Sequence, residues 1–281
     1  LDCINIEPTY LNHNENIFLW YKFDNDKYIY DYSKNKFDGI QKNLINNDRN
    51  SYNIFKDHEK NLIGWYKLNN KTNIGLDSSL YNNNLTLLKS NNNIETVDNI
   101  ELVYDILSIS KYPFLLNGLK FNGSQYLKIE NDGKYGTKDF SISLWFNNNN
   151  YVFPTSTYKV NTLACCRDWG SQKGWSIYLE QHTDNNLYLG TYVIGTDPAV
   201  LLRYNVINSP LWNDNEFNHI CLIIENIDNI NVNIKLYLNN NLIIFHNNFA
   251  YVGMTNGQFR IGVIDNSWLY YLENNQIISD V

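Results

Sequence analysis

Long apolar runs are missing from this chain. The longest, such as Ile220 to Ile224, have the length of a β-strand. They fall far short of the roughly 20 residues that a helix needs to cross a bilayer. No direct membrane insertion is expected of this segment. Methionine occurs once and proline five times in 281 residues, and no extended Ala/Leu/Glu/Lys tract suggests a long helix. Basic residues are outnumbered, with 22 Lys and Arg against 29 Asp and Glu, for a net charge of −7. Nothing gathers them into a stripe, which argues against nucleic-acid binding and against docking on anionic lipid. Four cysteines are too few for a disulfide scaffold. Cys165 and Cys166 are adjacent, Cys221 falls in an expected strand and Cys3 in a tail. Free thiols are the first reading and one disulfide the alternative; a metal site is not expected.

Catalytic signatures are missing too. No Gly-rich phosphate loop and no G-x-S-x-G elbow occurs. The five histidines (His13, His58, His182, His219 and His246) never reach an H-x-H or H-E-x-x-H spacing. Glycoside hydrolysis on a sheet needs two carboxylates flanking a cleft. The nearest pair, Glu225 and Asp228, is three residues apart, so a strand would put them on opposite faces. They read as solvated loop charges, and no enzyme is expected.

What is present points to sheets. Apolar residues make up 43%, enough for a sizeable core, and aromatics reach 15%, with 22 Tyr and 7 Trp. Asn runs at Asn82 to Asn84, Asn91 to Asn93, Asn147 to Asn150 and Asn239 to Asn241 fall between expected strands. Asn suits turns because it tolerates positive φ. The wealth of Asn, Lys, Ile and Tyr is also what an AT-rich genome encodes. N-x-S/T sequons stand at Asn70, Asn84 and Asn122, and matter only for a secreted chain.

The most informative stretch is LKFNGSQYLKIENDGKYGTKDFSISLWF, Leu119 to Phe146. Phe140, Ile142, Leu144 and Phe146 alternate with Ser141, Ser143 and Trp145, the period-two pattern of a half-buried sheet. The stretch resembles the laminin-G-like jelly roll of the concanavalin A-like lectin and glucanase superfamily. That family's pattern runs F-N/D-G-S-x-Y-L, a loop, then D-F-S/T-I-S-x-W. Further pieces follow in order: GWSIYLE (Gly174 to Glu180), LYLGTYV (Leu187 to Val193), WNDNEFNHICLIIE (Trp212 to Glu225), IKLYLNNNLI (Ile234 to Ile243) and FRIG (Phe259 to Gly262). Upstream, GWYKLNNKTNIGLDSSLYNNNLTL (Gly64 to Leu87) matches the opening strand and its loop. The resemblance implies an all-β, two-sheet antiparallel β-sandwich over residues 61–281. Strands are expected at about 141–146, 175–180, 187–193, 220–225 and 234–238. Phe140, Ile142, Leu144, Ile177, Leu179, Leu222, Ile224, Leu236 and Leu238 are expected inside it.

Residues 1–60 read as an N-terminal arm. Leu19 to Ile40 repeats the opening of Gly64 to Leu85, pairing Trp20 with Trp65, Tyr21 with Tyr66 and Lys22 with Lys67, yet no sandwich body follows the first copy. One or two strands are expected there, docking residues 17–24 on a sheet edge or on a neighbouring subunit. Ile94 to Leu107 reads as a short helix or an inserted strand. At the other end NNQIISDV (Asn274 to Val281) matches the start of the family's closing strand, with VID (Val263 to Asp265) as an alternative register. The first match, with Leu1 in place of an initiator Met, suggests a fragment of a longer polypeptide.

The best candidate for recognition is CCRDWGSQKGW, Cys165 to Trp175. Arg167, Asp168, Trp169 and Trp175 combine an aromatic platform with groups that bond sugar hydroxyls. Tyr178, Tyr188 and Tyr192 would extend it along the outward side of the next strands. The plainer alternative is a hairpin with Trp169 and Trp175 anchoring the end of the sandwich. No cofactor is required. Structural Ca2+ is an option the superfamily resemblance implies, with oxygens from Asp77, Asn82, and Asp265 or Asp280. The expected function is a non-enzymatic structural or recognition module with glycan or neighbouring protein subunits as partners. W-Y-K-F-D openings in an AT-rich composition resemble virion surface or capsid-associated proteins of large DNA viruses. A secreted or cell-surface adhesion lectin is the alternative.

Overall fold

The structure is a computed structural model describing residues 21–22, 28–31, 39–40, 61–89, 92–104, 117–129, 133–136, 139–149, 158–168, 173–184, 186–194, 200–228, 230–251, 253, 257–263, 272, 276–279 and 281. The chain divides into two compact units, Leu1–Lys56 and Asp57–Val281.

In the first unit Tyr21–Lys22 (β1), Tyr28–Asp31 (β2) and Gly39–Ile40 (β3) form a three-stranded antiparallel sheet. β1 pairs with β2 through Tyr21 opposite Asp31. β1 thus has a ladder partner inside the first unit, and of the residues expected to dock on a sandwich edge or a neighbouring subunit, 17–24, only Tyr21 and Lys22 are described. Trp20 and Phe23, whose docking the sequence suggested, lie outside the described residues.

The second unit is a β-sandwich of two seven-stranded sheets. Its strands in chain order are Thr86–Lys89 (β4), Glu101–Tyr104 (β5), Asn117–Lys120 (β6), Gln125–Lys128 (β7), Phe140–Asn147 (β8), Lys159–Asp168 (β9), Lys173–Gln181 (β10), Leu187–Ile194 (β11), Val200–Asn205 (β12), Phe217–Asn226 (β13), Asn231–Leu238 (β14), Asn241–Ala250 (β15), Phe259–Ile261 (β16) and Ile277–Ser279 (β17). The first sheet runs β12-β11-β10-β9-β16-β7-β4 and the second β15-β14-β13-β8-β17-β6-β5. Every strand pairing in both is antiparallel. Among the described residues there is no α-helix. The stretch that read as helix or strand contains β5, preceded by a short 3-10 turn at Val97–Asn99.

Alternation explains the core. The first sheet turns Leu163, Cys166, Trp175, Ile177, Leu179, Leu189, Phe259 and Ile261 inward. The second answers with Leu144, Phe146, Ile220, Leu222, Ile224, Ile234, Leu236 and Leu238, all buried. The alternate positions of β14 are only half-buried, as expected of a sheet with one face on the core. Phe140 and Ile142 also pack on the core but are only partly buried, because β8 enters the sheet at its rim there. Such layers pack about 10 Å apart.

The chain closes the sheet from its far end. β17 lies between β6 and β8, with Ile278 opposite both Leu119 and Phe146. Val281 and Tyr66 then exchange two backbone hydrogen bonds, of 2.7 and 3.0 Å. The opening loop is organised by Asp77. Its carboxylate accepts from the backbone N–H of Trp65, Ser79 and Asn83 and from the Ser79 hydroxyl, at 2.7–2.8 Å. Of the oxygens that suggested calcium, those of Asp77 thus accept from protein donors. Asn82 sits beside them at φ 53 as a turn residue. The three described cysteines, Cys165, Cys166 and Cys221, are free thiols.

Candidate functional site

Two neighbouring strands break the half-buried rule, and in β9 every residue from Val160 to Arg167 is buried. From Gly174 to Gln181 every residue of β10 is buried. Trp175, Ile177 and Leu179 account for the core face. Ser176, Tyr178 and Glu180 must then be buried on the opposite, outer face. Burying polar groups costs free energy unless partners are supplied, so such a face signals more than packing.

Register assembles the face row by row. Gly174 lies between Arg167 and Ile194. Ser176 lies between Cys165 and Tyr192, with Leu201 beyond. Tyr178 lies between Thr162 and Gly190, with Arg203 beyond. Glu180 lies between Val160 and Tyr188, with Asn205 beyond. On the other side of β9, Arg260 sits opposite Cys165, and Lys128 of β7 sits opposite Arg260. A register shift between Ile177 and Tyr178 passes over Leu163, so both Leu163 and Ala164 reach the core.

Glu180 is the polar centre. Its side chain is 1% exposed. Arg203 Nη2 donates to Oε1 at 3.0 Å, and Arg203 Nε lies 2.7 Å from Oε2. His182 Nε2 lies 3.0 Å from Oε1. Burial, and then the Glu180 charge, push the Tyr178 phenol well above its ordinary range, with Arg203 opposing. A Cβ on Gly190 would stand 2.6 Å from the Tyr178 hydroxyl, so glycine at 190 is what admits the ring.

Aromatic groups surround this centre. His182 meets Tyr188 and Tyr158 edge-on, with ring centres 5.2 and 5.5 Å apart. The Arg203 guanidinium is 5.9 Å from the Tyr188 ring centre, and that of Arg167 is 4.6 Å from the Tyr192 ring centre. Exposure is graded: Ser176, Tyr178, Glu180 and Arg167 are buried, His182, Tyr188 and Tyr192 partly exposed, and Tyr158, Leu201 and Arg203 exposed. The exposed groups can meet a ligand while the buried ones hold them in place.

The residues singled out from sequence separate here. Arg167 and Tyr178 share the outer face with Tyr188 and Tyr192. Trp175 does not. It is 1% exposed in the core, where its indole N–H donates to the Tyr135 carbonyl at 2.6 Å and its ring packs on Phe140 and Phe259. Asp168 ends β9, paired with Lys173. Trp169 lies outside the described residues, as do Asp265 and Asp280. Sequence reading missed Glu180, His182 and Arg203 as members of the site. Glu180 had a signal, since it follows Ser176 and Tyr178 at period two. Arg203 is 23 residues from Glu180 and reaches it only through the register of β10, β11 and β12. Among the described residues no three His, Cys, Asp or Glu side chains come together as metal ligands do.

No protein-family model and no curated protein matches the chain. Solved structures do. The chain is similar to the binding domain of Paraclostridial Mosquitocidal Protein 1, with a TM-score of 0.50 and 16% identity, covering 79% of this chain and 48% of that one. It is similar to a point variant of HCR/D, with a TM-score of 0.50 and 15% identity, over 78% and 46%. It is similar to domain 4 of AbnA, a GH43 extracellular arabinanase from Geobacillus stearothermophilus solved with arabinotriose. There the TM-score is 0.49 and the identity 19%, over 78% and 89%. The chain thus spans about half the length of the first two. At these identities the likeness is one of fold, the two-sheet β-sandwich.

Proposed function

We propose that this chain is a non-enzymatic carbohydrate-recognition module that reads its ligand on the outer face of the first sheet. Tyr188, Tyr192 and Tyr158 offer ring faces and edges, Arg203 and His182 offer hydrogen-bond donors, and the buried Arg167 backs the Tyr192 ring. One observation carries the reading: the partly exposed aromatic and ionic groups of this face rest on polar groups buried behind them. Saccharides present apolar ring faces edged by hydroxyls, and that combination suits them. A surface that only packs has no use for a buried glutamate held by arginine and histidine. The non-enzymatic part rests on the carboxylates. Hydrolysis calls for two across a cleft, and among the described side chains that the strand register assigns to this face Glu180 is the one carboxylate. Its oxygens are engaged by Arg203 and His182.

An oligosaccharide array probed beside a size measurement in solution tests this. Tyr192→Ala and Tyr188→Ala should each weaken binding by roughly tenfold or more while the melting temperature stays nearly unchanged. Binding untouched by both substitutions would move the site elsewhere, and an array with no binding would end the proposal. Release of new reducing ends from a bound oligosaccharide would replace recognition by hydrolysis.

The wider setting we propose is a virion surface or capsid-associated protein, which the opening W-Y-K-F-D motif supports, with a secreted or cell-surface adhesion lectin as the second reading. Immunodetection separates them: signal in purified particles supports the first, and signal on intact cells without particles supports the second.

A further inference from the structure

We infer that the outer face of the second sheet is an interface between two copies of this chain, packed face to face about a two-fold axis. The inference stands apart from carbohydrate recognition, which uses the other sheet.

Register lays this face out row by row. Leu242 of β15 lies opposite Tyr237, Tyr237 opposite Cys221, and Cys221 opposite Ser143. In the next row Phe245 lies opposite Lys235, Lys235 opposite Ile223, and Ile223 opposite Ser141. On the other side His219 lies opposite Trp145, and Asn147 lies between Phe217 and Ile277. Phe217 and Ile277 are buried, with Val103 and Trp145 packed against them. Cys221, Ile223, Tyr237 and Trp145 are half-buried, while Leu242 and Phe245 are 49% and 56% exposed. An apolar band thus crosses the outer face of four strands, and contiguous apolar surface of this kind marks an interaction site.

Charge and area commit the partner to a second copy. Among the described side chains that the register assigns to this face, the four charged ones close on one another. Lys235 lies 2.9 Å from Glu225, and Lys120 lies 2.8 Å from Glu101. Burial pushes the His219 imidazole below its ordinary range, so it adds no charge at neutral pH. Asp139, just ahead of β8, stands at the rim. The chain as a whole carries −7, so two copies repel unless they meet on a balanced face. A two-fold interface sets a patch against itself, which an apolar centre with balanced charge allows and a patch of one sign does not. β15, β14, β13 and β8 cover roughly 19 by 26 Å, and the shorter β17, β6 and β5 add roughly 14 by 13 Å. The footprint of about 700 Å² is close to the roughly 800 Å² that a stable interface takes from each partner.

The edge of the sheet favours this face over strand addition. β15 is the last strand, yet its ladder with β14 shifts register twice, between Val232 and Ile234 and between Leu236 and Tyr237. Such bulges bend an edge away from pairing with another chain. Packing the second sheets back to back turns the two first sheets outward on opposite sides.

Sedimentation of the whole chain between about 1 and about 100 μM tests this. The mass should rise from 33.0 kDa toward twice that value. Phe245→Asp and Leu242→Asp change exposed side chains and should leave the far-UV circular dichroism as it is. Each should raise the dissociation constant roughly a hundredfold, because a two-fold axis enters every change twice. Lys235→Glu should raise it roughly tenfold, and adding Glu225→Lys should bring it back to within about threefold of wild type. Leu80→Asp, at a residue 64% exposed in the opening loop, should leave the dimer intact. A chain that stays monomeric to about 100 μM overturns the inference and gives the face to a different protein. A dimer that survives both aspartate substitutions overturns its placement on this face. An open series of masses beyond the dimer overturns the two-fold axis.

Discussion

Removing Arg203 should cost more stability than removing Glu180, and removing both should cost less than removing Arg203 alone. The glutamate side chain is 1% exposed and the arginine 30%, with contacts of 2.7 and 3.0 Å between them. At roughly 4 Å between charge centres and an effective dielectric near 20, Coulomb attraction comes to about 4 kcal/mol. Solvent at Arg203 and the desolvation of Glu180 take back about half, leaving a coupling of about 2 kcal/mol. Arg203→Gln strands a buried carboxylate and should cost about 3 kcal/mol. Glu180→Gln leaves an arginine that can reach water and should cost about 1.5 kcal/mol. The double variant should then cost about 2.5 kcal/mol, with the nonadditivity reporting the pair. Urea denaturation of the four proteins, followed by tryptophan fluorescence, measures the cycle. Additive single effects, each under about 0.5 kcal/mol, would show that the two groups do not meet in solution, and the polar centre of the proposed site would go with them.

Leu144→Ala, in the centre of the second sheet and fully buried, should lower unfolding free energy by about 2–5 kcal/mol in the same assay. Asp77→Ala orphans four donors in the opening loop and should cost about 2–3 kcal/mol, with Asp77→Asn costing less. Gly190→Ala places a Cβ 2.6 Å from the Tyr178 hydroxyl and 2.8 Å from the Leu202 carbonyl, so it should cost about 1–3 kcal/mol. A melting temperature within error of wild type would mean that Tyr178 is not seated there. Acid should expose Glu95. Burial pushes its carboxyl up, and hydrogen bonds from Asn99, Gln125, the Thr96 N–H and Lys89 more than reverse this, holding it at about 2 against an ordinary 4.5. A carboxyl held below its unfolded value stabilises the fold above pH 4.5, and that stability drains as pH falls toward 2. Glu95→Gln should flatten the loss across that window in a pH series of melting temperatures.

The core was legible where, as in β13 and β14, one face of a strand meets the other sheet and the opposite face meets water. Leu144 against Ser143, or Leu236 against Lys235, announces its side by polarity alone. Partners at long range were not legible. Ile277 to Ser279 matched a closing strand, but its place between β6 and β8 depends on residues more than a hundred positions away. Asp77 read as an oxygen for calcium because its loop carries oxygens. Its four donors, three of them backbone N–H groups, have no letter of their own in a sequence. Trp169 and Trp175 drew the eye because aromatic residues near a turn suit both a platform and an anchor. Alternation decides for Trp175, since it shares a face with Ile177 and Leu179.

The same alternation, carried one step further, points to the rest of the site. Every second residue from Trp175 is apolar, so the residues between them, Ser176, Tyr178 and Glu180, had to face outward. On an ordinary outer face they would be wet, and a glutamate there would mean solubility. Here they are buried, and a buried glutamate must find a cation. The chain offers few arginines, and β12 delivers Arg203 to the row beside it. Without Arg203 the buried glutamate lacks its cation, and without Glu180 the arginine is one more surface charge. Their pairing gives this face a fixed, planar polar centre flanked by tyrosine rings, a combination that side-chain types alone do not reveal until register brings them to one place.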